Sequence, residues 1–411
     1  MKILYNIFVF LLSIIFRIGS FFNSKLKKGY LGRKDSLKLI LGKIYEKDNV
    51  IWMHAASLGE YEQGLPVLEK LKEKLPNYKI VITFFSPSGY ENCVKKNTIA
   101  DVICYLPLDN RKQISQFVKA VRPAMFFTVK YEYWYNLLAE LKSVNCKTFV
   151  VSALFYPKQV FFKPYGKWFV KQLQQNIDCF FHQNEKSFLL AQKIGLSKGI
   201  ITGDTRFDRV KQIKNNDNFV EFVSDFKMNK KLIVFGSSWE AEENIAKNIL
   251  QNNLDCKIII APHDLKRVSV LINKFPQAVL YSGFNNDNAS VFCQSPVLII
   301  DCIGLLSKIY AYANISVVGG GFHDKGLHNI LEAAVFGKPV LFGNHYKKNP
   351  EADALIGIGG AKSFSNEGEL SDFVIQLYSN NKLIDEMSNK SQLFVEKQPN
   401  STAIIVEEIM R

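Results

Sequence analysis

The sequence predicts an α/β protein made of doubly wound parallel sheets, one in each half of the chain. Three observations predict it. Short β-branched runs alternate with helical patterns along most of the chain, as parallel sheets covered by helices on both faces require. The 411 residues exceed what one such core ordinarily holds, so two domains are expected. The stretch from Ile315 to Gly343, ISVVGGGFHDKGLHNILEAAVFGKPVLFG, reads as strand, glycine turn, helix, strand, which is the repeating unit of such a sheet.

Composition is ordinary for a folded protein, at 47% hydrophobic and 22% charged residues, but the formal net charge is +14. That balance points to an anionic partner: acidic lipid headgroups, phosphorylated sugars or nucleic acid. Nucleic acid is set aside, because the chain has no zinc finger, no RNP signature and no dense Arg/Lys run. Seven cysteines, with no C-x-x-C pair, predict reduced thiols in the cytosol.

Residues 3–16, ILYNIFVFLLSIIF, are followed by Arg17, Phe21, Phe22 and the basic residues Lys25, Lys27, Lys28, Arg33 and Lys34. A membrane anchor over 1–22 is expected, with the basic cluster on the cytoplasmic side. A signal peptide and a buried core helix are the other readings. Asn49 to Ala56 then begins a first domain over 23–214. The strand gives way at Ser57, Leu58, Gly59 and Glu60 to a helix carrying Leu65, Val67, Leu68 and Leu71. Glu60 therefore sits at the carboxyl edge of a strand, where open α/β sheets bind ligands. It is a candidate general base, or else a first-turn acid that favours the helix dipole.

Further strands are expected at 79–85, 102–106, 124–129, 148–153, 179–182 and 200–202. Residues 155–168, FYPKQVFFKPYGKW, interleave aromatics with lysines. Lys158, Lys163, Lys167 and Trp168 suit an acidic amphiphile and an anionic membrane surface; a loop with half-buried rings and solvated lysines is the equal alternative. A polar linker is expected over 215–231. A second domain over 232–411 follows, its last helix able to pack back on the first. Its strands are expected at 232–235, 257–260, 297–300, 315–318 and 340–342. Between the last two lie Gly319, Gly320 and Gly321, then His328, Asn329 and Glu332 at a helix start. A glycine turn ahead of a helix offers N–H groups and a positive dipole end to a phosphate, so this stretch is the candidate sugar-phosphate or nucleotide pocket. Two Rossmann-like domains facing across a cleft are the expected architecture.

Several local patterns occur together and in order. HAASLGE (His54 to Glu60), KYEYWYN (Lys130 to Asn136), QNE (Gln183 to Glu185), GDTRFD (Gly203 to Asp208) and the run from Gly319 to Val340 resemble motifs of the bacterial 3-deoxy-D-manno-oct-2-ulosonic acid (Kdo) transferases. The resemblance implies an inverting GT-B glycosyltransferase that moves Kdo from CMP-Kdo to the 6′-hydroxyl of the lipid A disaccharide precursor. It implies no metal and no cofactor, at the cytoplasmic face of the inner membrane. Glu60 aligns with the catalytic base, and Lys130 and Arg206 fall at the other catalytic positions. Pro262 and His263, Gly304, Leu305 and Leu306, and Asn329, Ile330, Leu331 and Glu332 align with the stretches that hold CMP. The sequence departs from the family at four places. Lys130 stands where an acid is common, Arg206 for lysine, His263 for arginine and Ile330 for proline. Lys130 reverses a charge, with binding of an anionic substrate group and an ion pair with Glu132 or another local acid as its two readings. The alternative functions are another nucleotide-sugar transferase or epimerase using a UDP-sugar, and a non-catalytic membrane-bound sugar-nucleotide-binding protein.

Overall fold

The computed structural model describes residues 1–94, 99–347 and 349–411. The chain divides into two compact units, Met1–Arg209 with Pro399–Arg411, and Val210–Gln398. Among the described residues each unit has one seven-stranded sheet.

The first sheet contains β1 (Val50–Ala55), β2 (Lys79–Phe84), β3 (Val102–Tyr105), β4 (Pro123–Val129), β5 (Lys147–Ala153), β6 (Cys179–His182) and β7 (Gly199–Ile201). Their order is β3-β2-β1-β4-β5-β6-β7, every pair parallel. All six residues of β1 are buried, as a strand covered on both faces must be. The chain winds outward from β1 through β2 to β3, then crosses to β4 and winds the other way. Winding reverses between β1 and β4, so the loops after those two strands diverge and leave a crevice. Glu60 follows β1, and Lys130 follows β4.

The N-terminal helix α1 (Lys2–Phe22) and α2 (Ser24–Leu41) precede the sheet. Asn23 caps α2, its side chain accepting from the N–H groups of Lys25 and Leu26, the ordinary use of Asn at a helix start. The helix α3 (Leu58–Lys74) packs Leu65, Leu68 and Leu71 into the core beside Ile405, Val406 and Ile409 of the helix Ser401–Met410. The N–H and hydroxyl of Thr402 both donate to Asp208, at 2.7 and 2.8 Å. The last helix is thus part of the first unit.

The second sheet contains β8 (Lys231–Ser238), β9 (Cys256–Pro262), β10 (Val279–Leu280), β11 (Val297–Ile299), β12 (Ile315–Val318), β13 (Val340–Gly343) and β14 (Ala361–Phe364). The order is β10-β11-β9-β8-β12-β13-β14, again all parallel. Here winding reverses between β8 and β12, so the glycine turn after β12 faces the Gly236–Ser238 end of β8. Residues 215–231, expected as a linker, lie within this second unit. They hold a short helix, Val223–Lys227, with Val220, Phe222, Val223 and Phe226 buried and Phe222 stacked on Phe284 at 3.9 Å. Their apolar residues, spaced among asparagines and acids, fill a cover over the second core.

Candidate active site

In the first unit, local backbone needs and chemistry converge on Glu60. Ser57 is the N-cap of α3 and accepts from the Glu60 N–H, while the Glu60 carboxylate turns back to accept from the Ala56 N–H at 2.6 Å. This reciprocal cap fixes the side chain at the end of β1. Glu60 is 8% exposed. Burial raises its pKa, opposed by the Ala56 hydrogen bond and then by Lys130. A raised carboxylate is a stronger base, which suits proton abstraction.

Lys130, Asp204 and Arg206 complete the cluster. Lys130 adopts a left-handed backbone, φ 63°, uncommon for a side chain of its size, and its N–H donates to Val151 at 3.0 Å. The acids that feel its charge are Glu60 and Asp204. The Asp204 carboxylate accepts from Arg206 Nε and Nη2 at 2.9 and 2.7 Å, from the Arg206 N–H at 2.9 Å and from Gln63 Nε2 at 2.7 Å. Burial works to raise Asp204, but Arg206 and then Lys130 hold it below the ordinary range. The three expected catalytic residues are therefore brought together, with Asp204 as the acid joining the two cations. In the sequence Asp204 stands out only as part of GDTRFD. Its signal was an acid two residues before a cation at a strand's carboxyl end.

Glu132, named from the sequence only as a partner for Lys130, is a second acid beside Glu60. Its carboxylate accepts from Trp134 Nε1 at 3.2 Å. Burial, then the neighbouring Glu60, push its pKa from 4.5 to about 7. Two carboxylates in one low-dielectric site cannot both ionise cheaply. A carboxyl raised in this way holds its proton in the folded state between those two values, so its contribution to stability declines as pH rises through that window. Glu132→Gln should therefore stabilise the protein by about 2 kcal/mol near pH 8 and by almost nothing near pH 4. Urea unfolding at the two pH values checks this, and an equal shift at both would contradict the assignment.

Residues 155–168 form two 3₁₀ turns, Val160–Phe162 and Pro164–Gly166, ahead of the helix Lys167–Asn176. Phe155 is buried and Phe161 and Phe162 pack half-buried on the same cluster, while Lys158, Lys163 and Lys167 are exposed. Trp168 is half-buried against Tyr135 and Tyr5, at 4.8 and 6.3 Å, and so sits beside α1. Packed rings with solvated lysines between them are what the loop alternative expected.

In the second unit, the glycines serve close approach more than ligand cradling. A Cβ on Gly319 would fall 2.1 Å from the Ser237 carbonyl oxygen, and one on Gly321 2.5 Å from the Gly343 nitrogen. The Gly319 N–H donates to Gly236 and the Gly320 N–H to the Glu242 carboxylate, at 2.9 and 3.1 Å. These two N–H groups, expected to face a phosphate, are already used. The helix after the turn is also shorter than expected, only Leu331–Ala334, with Ile330 and Leu331 buried. Asn329 takes over the start: its Oδ1 accepts from the Leu331 N–H and its Nδ2 donates to Glu332, both at 3.1 Å. The Glu332 carboxylate is thereby held at the carboxyl edge of β12.

Side chains from four segments meet there. The His263 ring, one residue past Pro262 and the end of β9, stacks on Trp239 at 4.7 Å and meets His328 at 4.4 Å. Trp239 Nε1 approaches His328 Nε2 at 3.4 Å, His323 sets its ring edge-on to Trp239, and Lys325 Nζ lies 4.3 Å over the indole. Burial, then His263 and His323, lower the pKa of His328 to about 4, so that ring is neutral near pH 7. Gly304, at φ 102°, turns the chain into Leu305 and Leu306, and Leu306 packs against the Gly236 turn. Tyr310 is buried on the same turn and feels Glu332. Trp239, His323 and Lys325 were not expected. Trp239 is recognisable in hindsight as the residue between a strand and the acidic helix Glu240–Gln251.

Two parallel sheets, each with its candidate loops at the point where the winding reverses, make up the GT-B fold. Comparison with known proteins goes beyond the fold. Residues 33–209 match the family model for 3-deoxy-D-manno-octulosonic-acid transferase (kdotransferase). The chain is 27% identical over 344 residues to the 3-deoxy-D-manno-octulosonic acid transferase of Rickettsia felis, covering 82% of this chain and 73% of that protein. It is 26% identical over 356 residues to the enzyme of the same name from Aquifex aeolicus, covering 85% and 90%. Among solved structures, the UDP-GlcNAc 2-epimerase of Neisseria meningitidis superposes with a TM-score of 0.61 at 16% identity, covering 88% of this chain and 99% of that one. At that identity the likeness concerns the fold alone.

Proposed function

We propose that this protein is a Kdo transferase, moving Kdo from CMP-Kdo to the 6′-hydroxyl of the lipid A disaccharide precursor with inversion at the anomeric carbon. The observation that carries the reading is the Glu60 carboxylate, buried, fixed by Ala56 and flanked by Lys130. The acceptor hydroxyl is a weak nucleophile until a base takes its proton. Its oxygen bonds to the anomeric carbon, the proton passes to Glu60, and the bond to the CMP phosphate breaks with both electrons leaving on CMP. Arg206, held by Asp204, and Lys130 are positioned to bind anionic groups of the sugar or acceptor. The donor reading rests on Pro262, His263, the 304–306 turn and the run from His328 through Asn329, Ile330 and Leu331 to Glu332, with Gly320 and Gly321 shaping the turn beside them. There Lys325 offers a cationic partner to the leaving phosphate and His263 a ring nitrogen for a hydrogen bond, and Glu332 an acceptor for sugar hydroxyls. The reaction in this form calls on no metal and no cofactor. The acceptor is a membrane amphiphile, and α1, an apolar helix of 21 residues, is the proposed attachment. Lys158, Lys163 and Lys167, beside α1 through Trp168, are the proposed basic surface toward an anionic bilayer at the cytoplasmic face of the inner membrane.

The test combines purified protein, CMP-Kdo and lipid A precursor, with products read by mass spectrometry. A product heavier by one or more Kdo residues is expected, and none with a UDP-sugar donor. CMP rather than UDP should raise the melting temperature. Asn329→Ala and Glu332→Ala should each weaken CMP-Kdo binding by about 1–3 kcal/mol. Donor affinity unchanged in both variants would remove the pocket from the proposal.

A further inference from the structure

The helix α1 lies along the first unit instead of projecting from it. Near its start, Tyr5 donates to Asp109 at 2.7 Å and Asn6 accepts from Asn136 at 2.9 Å. Val9, midway, is 2% exposed. Toward its end, Phe16 packs edge-on to Phe85 at 5.8 Å, and Ser20 is 8% exposed. The helix is therefore tied down along most of its length, about 30 Å. Its outer side is apolar and open, with Ile7, Leu11, Ile15 and Ile18 all more than half exposed. A helix tied to a folded unit at both ends cannot also cross a bilayer; it can lie in the interface with that side in lipid.

Between α1, α2 and the helix Arg111–Val121 is a cavity of about 670 Å³. Phe10, Ile14 and Phe117 form its apolar wall, and Arg17, Arg33 and Lys34 its cationic part. Arg33 is the unusual member. Its Nη1 and Nη2 donate to the carbonyls of Gly29 and Phe85 at 2.8 and 2.7 Å, its Nε is buried without a partner, and its charge sits 4.7 Å over the Phe85 ring. Among the described residues no carboxylate pairs with it. Burial lowers its pKa to about 10, the sign of a desolvated cation without a counter-charge. A neighbouring cavity of about 590 Å³ adds Arg111, Lys112 and Lys119, and neither cavity has an acid among its lining residues. A cation-lined, acid-free pocket opening beside an apolar helix face matches a phosphate headgroup whose chains run on into lipid.

We propose that the cavity between α1, α2 and the helix Arg111–Val121 binds the phosphate of an anionic glycerophospholipid, with α1 lying flat in the membrane surface and the acyl chains passing over its outer face. Glu60, Lys130, Asp204 and Arg206 are not among the residues that line the cavity, and lipid retention is read without sugar transfer. It does rest on the attachment by α1 proposed above. Its ligand chemistry is shared with the phosphates of a glycolipid acceptor, and the test separates the two.

The experiment uses full-length protein exchanged from mixed phosphatidylglycerol and phosphatidylcholine into a mild detergent, then native mass spectrometry. One retained phosphatidylglycerol is expected, in preference to phosphatidylcholine. Arg33→Gln should lower that preference about fivefold. Because Arg33→Gln could disturb packing, the double variant Arg17→Gln with Lys34→Gln, both exposed, is measured beside it, and a similar loss is expected. Equal retention of the two lipids by the unaltered protein, or an unchanged preference in the double variant, overturns the site. Displacement of phosphatidylglycerol by stoichiometric bis-phosphorylated lipid A precursor overturns the phospholipid assignment in favour of the acceptor. Orientation is read in inside-out membrane vesicles. A protease-cleavable tag placed ahead of Met1 should be cut from outside, and protection of the tag overturns the flat helix. Flotation with neutral vesicles reports attachment alone, so loss of attachment and loss of the phosphate site are told apart.

Discussion

Glu60→Gln should lower Kdo transfer by about 10²–10⁴-fold, the usual cost of losing a general base. The substitution is chosen for what it preserves. Glutamine keeps the shape and an acceptor oxygen, so the hydrogen bond from Ala56 and the start of α3 survive. What disappears is the capacity to take a proton from the acceptor hydroxyl. CMP affinity should stay nearly unchanged, because the residues proposed to hold CMP belong to the second unit. The unaltered enzyme should lose activity on the acid side as Glu60 becomes protonated. Burial places that limb above the range of an ordinary glutamate, and Lys130 limits the displacement. The Gln variant's residual rate should lack the limb. Near-normal turnover in Glu60→Gln, or a lost rate accompanied by an equal loss of CMP binding, would remove Glu60 from the role of base.

Gly319→Ala should be the most damaging single methyl in the second unit, at about 3 kcal/mol of stability. The added carbon would meet the carbonyl of Ser237 at 2.1 Å and the Cα of Ser238 at 3.1 Å. Both are backbone, at the end of a central strand, and neither can rotate aside. Relief requires β12 to part from β8. That would strain the hydrogen bonds from Gly319 to Gly236 and from His328 to Gly319, and with them the placement of His328 and Asn329. Thermal unfolding should show the loss together with weaker CMP binding. A variant within about 0.5 kcal/mol of the parent would mean that the two turns have room the structure denies them.

The sequence was legible where one signal sufficed. Buried parallel strands are nearly continuous apolar runs, so β6 and β12 were located to the residue and most others to within one or two. The strands not foreseen were β10, only Val279–Leu280, and β14, AKSF, whose middle residues are polar or exposed. Edge strands carry less burial and hence less pattern. Glu60 was visible because the step from strand to helix is itself a sequence feature. Asp204 was not, because its importance arises from partners 141 positions away at Gln63 and two away at Arg206. The glycine turn was found for a reason the structure revises. Three consecutive glycines announce close approach, but a sequence does not say whether the approaching group is a ligand or, as for Gly319, another turn of the same chain.

The return of Pro399–Arg411 to the first unit makes the second unit, in topological terms, a domain inserted into the first. During synthesis, Val210–Gln398 can collapse as soon as it clears the ribosome, since all its strands are contiguous in the chain. The older half must wait. Until Ile405, Val406 and Ile409 emerge, the core between α3 and the first sheet has an open apolar side, and Asp208 lacks the two Thr402 donors. The first domain translated is therefore the last to be completed, and damage at the very end of the chain is felt by the half that carries Glu60.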